Sequence, residues 1–388
     1  MSRKGGTGAR AALLLAVLLA AAFLPAAAPA SESIESLAAR DPLSALSVAS
    51  FLGDDGRGMV ITRPGGVEVS IPGPEALSGT LNVFFVNVGQ GDAEYIELPN
   101  GRNVLIDGGP AGSGSVIGSE SPVRVPDDPS VAPEEASEAE AGALSRVSAL
   151  AAPPPIAKFL KERGVTRIDY VVLTHPHSDH YGGLGWVFDN LSVGRFYDTA
   201  VDNPSAKGDG VIRAKASAEP GCGVEHPAEG SALDWAPGVR VGVLNTCSDA
   251  SMSSGRSLGT GRALDMNDCS IVLKMTYGSA SLLFTGDAGV KVEERMVRTY
   301  GDLLASDVLK VGHHGSTHSS SAAFLEKVRP KYAYIEVGKN SYGHPTPAAV
   351  ARIEAAGASM FRTDRDGTGE YARREGPEAP VSVAATAH

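Results

Sequence analysis

One short stretch of this chain combines a buried strand with a dense cluster of metal-binding side chains. The apolar run Tyr170–Leu173 has the length and composition of a buried β-strand. The segment THPHSDHYGG follows at once and carries three histidines and one aspartate before a pair of glycines. Imidazole and carboxylate groups are the ligands that zinc-like ions take in proteins. The stretch therefore predicts half of a two-metal site, built on a turn that follows a strand.

The spacing of these side chains divides them between two ions. His175 and His177 are two residues apart, so in extended backbone they point the same way and can share one ion. Asp179 and His180 lie across the turn and can face a second ion. The alternative, a solvated histidine-rich loop, does not explain the apolar strand and the glycine turn that frame the motif.

The H-x-H-x-D-H pattern after a strand resembles the signature of the metallo-β-lactamase fold. Five further segments occur in the same order as in one branch of that family, the soluble hydrolase domain of the competence DNA-uptake protein ComEC and its stand-alone relatives. They are FFVNVGQGDAEYIEL, NVLIDGG, LLFTGDAG, VLKVGHHGSTHSS and YGHPTP, and the resemblance covers roughly residues 80–370. It implies an α/β fold, an αββα four-layer sandwich of the metallo-β-lactamase type.

The resemblance also implies the remaining site residues. Asp287 follows a buried strand, and in the family it bridges the two ions, for which a carboxylate has two oxygens. Of the adjacent pair, His314 is the favoured ligand of the second ion and His313 is the alternative. In the family, Asp107 lies near the floor of the site and holds the metal loop through hydrogen bonds. His344 is placed at the mouth, where it either protonates a leaving group or packs to shape its turn.

One ligand of the wider family is absent. Many members carry a histidine in a G-H-T-x-G-S segment two strands before the bridging aspartate, whereas the matching segment here is Met266–Ser270. Asn267 and Asp268 are candidate replacements that offer an oxygen ligand. Oxygen ligands suit manganese or magnesium as well as zinc. We therefore expect two divalent ions, with zinc in first place and manganese or magnesium as alternatives.

Such a site suits hydrolysis by a metal-bound hydroxide. Two ions about 3.5–4 Å apart lower the pKa of a bound water and clamp the oxygens of a phosphodiester. The scheme assigns one ion to His175 and His177, the other to Asp179, His180 and His314, and the bridge to Asp287, with Asp179 also orienting the water. The expected activity is that of a phosphodiesterase or nuclease. A hydrolase of small or cell-envelope phosphoesters and a non-catalytic metal-binding module remain open as alternatives.

The charge of the chain bears on the choice of substrate. The sequence has 34 Lys and Arg residues against 45 Asp and Glu, a net charge of −11. Affinity for nucleic acids rests largely on neutralisation of phosphates by basic side chains. This balance therefore counts against high affinity for DNA and suits small esters better.

The N-terminus predicts export. Basic residues in the first ten positions precede the apolar run Ala11–Leu24, and Ala28-Pro29-Ala30 supplies small residues for cleavage. We expect a signal peptide over 1–30 and a periplasmic, cell-wall-associated or extracellular protein; a retained N-terminal anchor is the alternative. No transmembrane domain is expected in the mature chain, and the sequence assigns no oligomeric state.

Composition sets the expected boundaries. A linker over 31–79, with a strand pair near its end, precedes a hydrolase domain over 80–372. Within that domain, 111–155 is an acidic low-complexity insertion and 205–234 is loop-like, a place for substrate specificity. The tail over 373–388 is expected to be disordered.

Three cysteines suit an oxidising compartment. Cys222 and Cys247 both lie in irregular stretches between motifs and are the favoured disulfide pair. Cys269 lies beside the predicted site, where it is either a small core residue or a soft metal ligand.

Overall fold

The computed structural model describes residues 60–62, 68–70, 79–112, 152–203, 208–247, 265–375 and 381–386. The predicted signal peptide lies outside these ranges, as do most of the linker and most of the acidic insertion. None of the helices within these ranges is long and apolar enough to cross a membrane.

Many of the strands coincide with apolar runs that predict strands. Several others lie where the sequence predicts none. In chain order they are β1 (Val60–Thr62), β2 (Glu68–Ser70), β3 (Gly79–Phe85), β4 (Glu94–Glu97), β5 (Asn103–Ile106), β6 (Arg167–Val172), β7 (Ser192–Tyr197), β8 (Gly223–Glu225), β9 (Ala232–Ala236), β10 (Val239–Asn245), β11 (Val272–Tyr277), β12 (Ala280–Phe284), β13 (Val308–Lys310), β14 (Tyr332–Ile335), β15 (Ser359–Arg362), β16 (Thr368–Glu375) and β17 (Val381–Thr386). The helices are α1 (Pro155–Glu162), α2 (Ser178–Tyr181), α3 (Leu184–Asn190), α4 (Gly208–Ala218), α5 (Val290–Tyr300), α6 (Ala322–Val328), α7 (Pro347–Ala355) and α8 (Thr363–Asp366).

Two mixed sheets organise the described residues. The first has the order β17-β16-β3-β4-β5-β6-β7-β8, and the second has the order β15-β14-β13-β12-β11-β10-β9. In each sheet one half is antiparallel and the other is parallel: β5 to β8 run parallel in the first, and β12 to β15 in the second. The short strands β1 and β2 pair only with each other, at the place where the sequence predicts a strand pair.

The sheets pack face to face, and the helices cover their outer faces. Phe85 of the first sheet stacks on Tyr334 of the second, with ring centroids 4.0 Å apart, and Phe284 lies beside the pair. On the outer face of the first sheet, α1, α3 and α4 bury apolar side chains such as those of Leu160 and Ile212. Helices α5, α6 and α7 do the same on the second sheet. The predicted αββα sandwich is confirmed.

The expectation of a disordered tail from Arg373 is wrong. Strand β16 extends to Glu375 and pairs antiparallel with β3, and β17 then pairs with β16. The backbone groups of this segment therefore complete the edge of the first sheet. The sequence signal was weak because the small residues of Val381–Thr386 give little hydrophobic alternation.

The stretch over 205–234, predicted as a loop, contains regular structure. It includes the helix α4 and the strand β8, and the strand β9 begins within it. In α4 the side chains of Ile212 and Ala216 are buried, which is too sparse an apolar pattern to stand out in a sequence that begins with glycines.

The disulfide joins Cys247 to Cys269, and the favoured Cys222–Cys247 pair is wrong. Cys247 follows β10, and the register of β10 against β11 brings its end close to the residues just before β11. Cys222 packs instead with the residues on the outer face of the first sheet and is a free thiol. Cys269 is therefore half of a disulfide, not a soft metal ligand.

Candidate metal centre

The site residues lie where parallel strands of both sheets end. Asp107 follows β5 directly, and His175 follows β6 after Leu173 and Thr174. In the second sheet Asp287 follows β12, and His314 follows β13. The carboxyl ends of parallel strands form the usual ligand-binding edge of α/β sheets, because the loops that leave them converge there. Residues from the two sheets thus meet at one shared edge.

The second predicted ligand group forms a compact and buried cluster. His314 Nε2 lies 3.2 Å from Asp179 Oδ2 and 3.6 Å from Asp287 Oδ2. His180 Nε2 lies 3.4 Å from the same Asp287 oxygen. Ligand atoms about 2.0–2.2 Å from a tetrahedral ion are separated by about 3.3–3.6 Å. The spacing of these donor atoms therefore fits one divalent ion.

Three atoms of this cluster are buried without a hydrogen-bond partner. They are His180 Nε2, His314 Nε2 and Asp287 Oδ1. Buried polar atoms in folded proteins are almost always hydrogen-bonded, so atoms left without partners call for an explanation such as a bound ion. Because the three belong to neighbouring side chains in one cluster, the residues present fit a metal ion well.

The first predicted ligand pair lies beside this cluster. His175 Nε2 and His177 Nδ1 lie 2.9 Å apart and are hydrogen-bonded to each other. His175 Nε2 is 3.8 Å from Asp287 Oδ2. Asp287 Oδ2 therefore faces histidines of both predicted groups.

Asp107 determines which nitrogen atoms two of the histidines present. The Thr174 hydroxyl donates to Asp107 Oδ2 over 2.6 Å, so its lone pair accepts from His175 Nδ1 at 3.0 Å. His180 Nδ1 donates to the same aspartate oxygen over 2.7 Å. Nδ1 is therefore occupied in both rings, and Nε2 is the atom that each ring turns towards Asp287. Such hydrogen bonds commonly fix the tautomer of metal-binding histidines.

The two adjacent histidines occupy different places. His314 is buried, and its Nδ1 donates to the Glu336 carbonyl oxygen over 2.9 Å, with Asp92 Oδ1 at 3.1 Å. This arrangement turns Nε2 of His314 towards the cluster. The side chain of His313 is 27% exposed and places its Nε2 3.7 Å from Asp287 Oδ2, at the rim.

Several site residues hold left-handed backbone conformations. The φ angles are +55° at Asp107, +47° at His313 and +50° at His314. This region is costly for residues other than glycine, and such strain clusters at functional sites. The contacts made by the rest of the fold must therefore offset the conformational cost of these three residues.

The electrostatics of the cluster favour a bound cation. Burial lowers the pKa of His314, but the carboxylates of Asp287 and Asp92 raise it to about 10. In the same way, Asp287 and Asp107 hold the pKa of His180 well above its usual value despite burial. Burial and the nearby charge of His180 lower the pKa of His175. The carboxylates thus stabilise positive charge in this cluster, which a divalent ion would supply.

The proposed replacements for the missing histidine lie in a short turn over Asn267–Cys269. The Asp268 carboxylate lies 4.0 Å from Lys291 Nζ, and among the described residues it joins none of the ligand groups able to hold a metal. Asn267 Oδ1 is buried and has no hydrogen-bond partner, so it stays a candidate. Next to this turn, Ser270 Oγ accepts from the Asp287 amide over 3.0 Å and lies 3.4 Å from His175 Nδ1.

A buried ion pair that the sequence did not predict lies beneath the cluster. Lys310 and Asp92 are fully buried and form an ion pair, and Lys310 Nζ is also 3.3 Å from the Gly286 carbonyl oxygen. Glu336 accepts from the Ala93 amide over 3.1 Å. The signal was present as a lysine within the apolar run VLKV and as an aspartate after a strand.

A glycine makes the approach of the Asp92 turn to the metal loop possible. The Asp92 amide donates to the Asp179 carbonyl oxygen over 3.3 Å. Gly91 has a φ of +139°, and a Cβ atom there would lie 2.2 Å from that same oxygen. Any other residue would push the two segments apart.

His344 lies at the rim of the site. Its ring centroid is 5.4 Å from that of His313 and 6.5 Å from that of His314. Burial and the nearby His313 and His314 lower the pKa of His344. The predicted site residues other than Asn267 and Asp268 therefore lie in or beside one cluster, and these two lie in the adjoining turn. Among the described residues, His177, like Asp268, belongs to none of the groups that could hold a metal.

Comparison with known proteins identifies the family of the chain. The model of the metallo-beta-lactamase superfamily matches residues 86–338. ComE operon protein 3 of Bacillus subtilis (strain 168) is 28% identical over 297 residues, which are 76% of this chain and 33% of that protein. Competence protein ComA of Neisseria gonorrhoeae is 36% identical over 222 residues, which are 57% of this chain and 28% of that protein. The chain therefore spans about a third or less of the length of these relatives.

Among solved structures, a new diphosphatase from the PhnP family aligns with a TM-score of 0.38 and 13% identity, over 76% of this chain and 98% of that chain. This likeness is too slight to carry an argument about chemistry. The similarity to the competence proteins supports the branch of the family that the motifs predict. Because the family model covers most of the chain, the chain belongs to the metallo-beta-lactamase superfamily.

Proposed function

We propose that this chain is a metal-dependent phosphodiesterase with a binuclear centre. The observation that carries the proposal is the set of buried, unpartnered atoms on His180, His314 and Asp287 at spacings that suit a divalent ion. We assign one ion to His175 and His177, the other to Asp179, His180 and His314, and the bridge to Asp287. Zinc is the first choice for both sites, with manganese or magnesium as alternatives.

Bound divalent ions at this centre would supply Lewis acidity and a nucleophilic water of lowered pKa. The residues of the chain supply the rest. Asp179 is the most exposed carboxylate of the cluster, and we assign it the orientation of the attacking water. We assign to His344, at the rim, the transfer of a proton to the leaving oxygen. Asp107 and Asp92 hold His175, His180 and His314 in the required orientation.

The substrate is a phosphodiester, and the competence-protein relatives motivate a test with DNA. The net charge of −11 favours the second candidate, a small or cell-envelope ester, because a polyanion gains little from such a surface. Salt distinguishes the two, since affinity for DNA falls steeply as salt rises whereas hydrolysis of a small ester does not.

The test combines metal content with hydrolysis of bis(p-nitrophenyl) phosphate. We expect about two equivalents of metal and metal-dependent turnover in the wild-type chain. His177→Ala and Asp287→Ala should lose metal and fall by at least about 100-fold in kcat while remaining folded. The matched control is His318→Ala, which removes an exposed histidine from the same segment as His314.

One equivalent of metal or less, with no turnover after addition of zinc or manganese, would leave the non-catalytic binding module as the better account. His344→Gln gives a second arm, because a lost proton donor slows esters with poor alkoxide leaving groups far more than p-nitrophenyl esters. Equal slowing of both ester types would exclude this role for His344.

We also propose that the chain acts outside the cytoplasm. A disulfide between Cys247 and Cys269 persists only in an oxidising compartment, which agrees with the predicted signal peptide over 1–30. Fractionation of cells that express the full chain would contradict export if the protein stayed in the cytosol with both thiols reduced.

A further inference from the structure

The loop after β14 presents an aromatic ring to solvent beside the metal centre. Tyr342 is 70% exposed. In the described part of the chain, Val211 at 45% is the other large hydrophobic side chain that is exposed. A single exposed apolar side chain is ordinary on a protein surface, so exposure alone would mean nothing here. What distinguishes Tyr342 is how its loop is built and where its ring lies.

Asn340 fixes the shape of this loop. Its Oδ1 accepts from the amides of Tyr342 and His344, each over 3.1 Å. Its Nδ2 donates to the carbonyl oxygens of Gly338 and His344, each over 2.8 Å. One side chain thus ties the loop together at four backbone groups. The ring of Tyr342 is therefore presented by an ordered backbone, at little entropic cost to a ligand that binds it.

A row of rings leads from Tyr342 into the site. Tyr342 stacks on His344, with centroids 5.8 Å apart and planes 30° apart. The His344 ring is 5.4 Å from that of His313, whose Nε2 is 3.7 Å from the bridging carboxylate of Asp287. The Nδ1 atom of His344 is buried and has no hydrogen-bond partner. A planar group on Tyr342 would thus lie at the outer end of this row, with the metal centre at its inner end.

We propose that Tyr342 and His344 form a stacking subsite for a purine or pyrimidine base of the phosphodiester substrate. The inference rests on the proposed phosphodiesterase function and names the chemical class of its substrate. Every base has a π-face, so an aromatic ring binds a nucleotide without sequence preference and without a positive charge. A chain with a net charge of −11 gains little from phosphate contacts, which makes an uncharged ring the suitable anchor.

The test compares two esters with the same leaving group. Thymidine 5′-(p-nitrophenyl phosphate) carries a base, whereas methyl p-nitrophenyl phosphate carries none. For Tyr342→Ala, we expect kcat/KM to fall about ten-fold more on the thymidine ester than on the methyl ester, mainly through KM. Tyr342→Phe keeps the ring and should stay within about two-fold of the wild type on the thymidine ester. Val211→Ala, which removes the other exposed side chain, is the matched control.

A second arm measures binding without turnover. The anisotropy of a fluorescein-labelled thymidine oligonucleotide is titrated with each full-chain variant in the presence of EDTA. Tyr342→Ala should weaken binding about ten-fold while Val211→Ala does not. Equal losses on both esters, or equal oligonucleotide affinity for Tyr342→Ala and the wild type, would overturn the subsite. If no variant hydrolyses either ester, the proposed function fails, and the binding arm still decides the subsite.

Discussion

The carboxylate of Asp107 sets the chemical state of two histidines that belong to different predicted metal sites. It holds His180 directly and His175 through the Thr174 hydroxyl. A histidine can bind a metal through Nε2 only if the proton resides on Nδ1, and an isolated imidazole distributes the proton between both atoms. The readiness of both sites for metal therefore depends on a residue that need not touch either ion.

Asp107→Asn should weaken zinc binding by about 10- to 100-fold, because an amide has one acceptor oxygen. Asp107 accepts at both of its oxygens, from the Thr174 amide at Oδ1 and from the Thr174 hydroxyl and His180 Nδ1 at Oδ2. Thr174→Val removes only the link to His175 and should weaken the binding of one of the two zinc equivalents. Competition titration against a chromophoric chelator measures both. The control is Asp169→Asn, which changes an aspartate within β6, the strand that precedes Thr174. Wild-type zinc affinity in the Asp107 variant would contradict this role.

At the scale of single residues, the sequence predicts the side chains that carry spacing information. His175, His177, Asp179 and His180 follow one strand, and the fold brings all four side chains close together. Their division between two ions stays a prediction. The Asp92–Lys310 pair could not be predicted in this way, because 218 residues separate its members and each lies in an ordinary strand or turn. Contacts that distant depend on how the two sheets pack, which local patterns do not encode.

Secondary structure was predictable where periodicity and end signals agree. Helix α7 begins as expected, with Thr346 as the cap that accepts from the Ala349 amide and with proline in its first turn. Helix α4 and strand β17 were missed because they consist largely of small residues. Such elements are stabilised mainly by contacts with neighbouring elements. A weak apolar pattern in the segment itself therefore does not predict them.

Strand β11 contains a buried lysine whose ionisation should be visible in stability. Lys274 donates to the carbonyl oxygen of Ala305 over 2.6 Å at the end of the turn that follows α5. Burial, with a contribution from the charge of Arg329, lowers its pKa to about 8. Between about pH 8 and the usual lysine pKa of about 10.4, the unfolded chain binds more protons here than the folded chain. This residue's contribution to stability therefore rises with pH through that window and is lost as the pH falls through 8.

Urea unfolding at about pH 7.5 and about pH 10 tests this sign. The free energy of unfolding of the wild type, relative to Lys274→Met, should increase by up to about 3 kcal/mol between the two values. Lys158→Met replaces an exposed lysine on α1 and should show no such change. A difference that is flat, or that falls as the pH rises, would mean that Lys274 remains charged throughout.

At the scale of the whole molecule, the two sheets are joined by charge as well as by apolar packing. Asp92 lies in the turn between two strands of the first sheet, and Lys310 lies in the second sheet at β13. Both are fully buried, so each charge depends on the other for compensation. The same aspartate contacts His314, which connects this junction to the metal centre.

Lys310→Met should lower the free energy of unfolding by about 3–5 kcal/mol, because it leaves Asp92 buried without its partner. The double variant Asp92→Asn/Lys310→Met removes both charges and should recover part of that loss. Lys331→Met breaks an exposed ion pair and should cost less than about 1 kcal/mol. If the double variant were as unstable as the sum of the single variants, the pair would not be coupled.

The pairing of β16 with β3 bears on when the protein can fold. The Asn87 amide donates to the Thr368 hydroxyl across 281 residues of sequence, beside the ladder that joins these two strands. Contacts of such long range form slowly, since the intervening chain must be ordered first. During synthesis β3 therefore remains a bare edge until almost all of the domain has emerged, and an unpaired edge recruits other chains. We expect a nascent chain that depends on chaperones until its last strands have been synthesised.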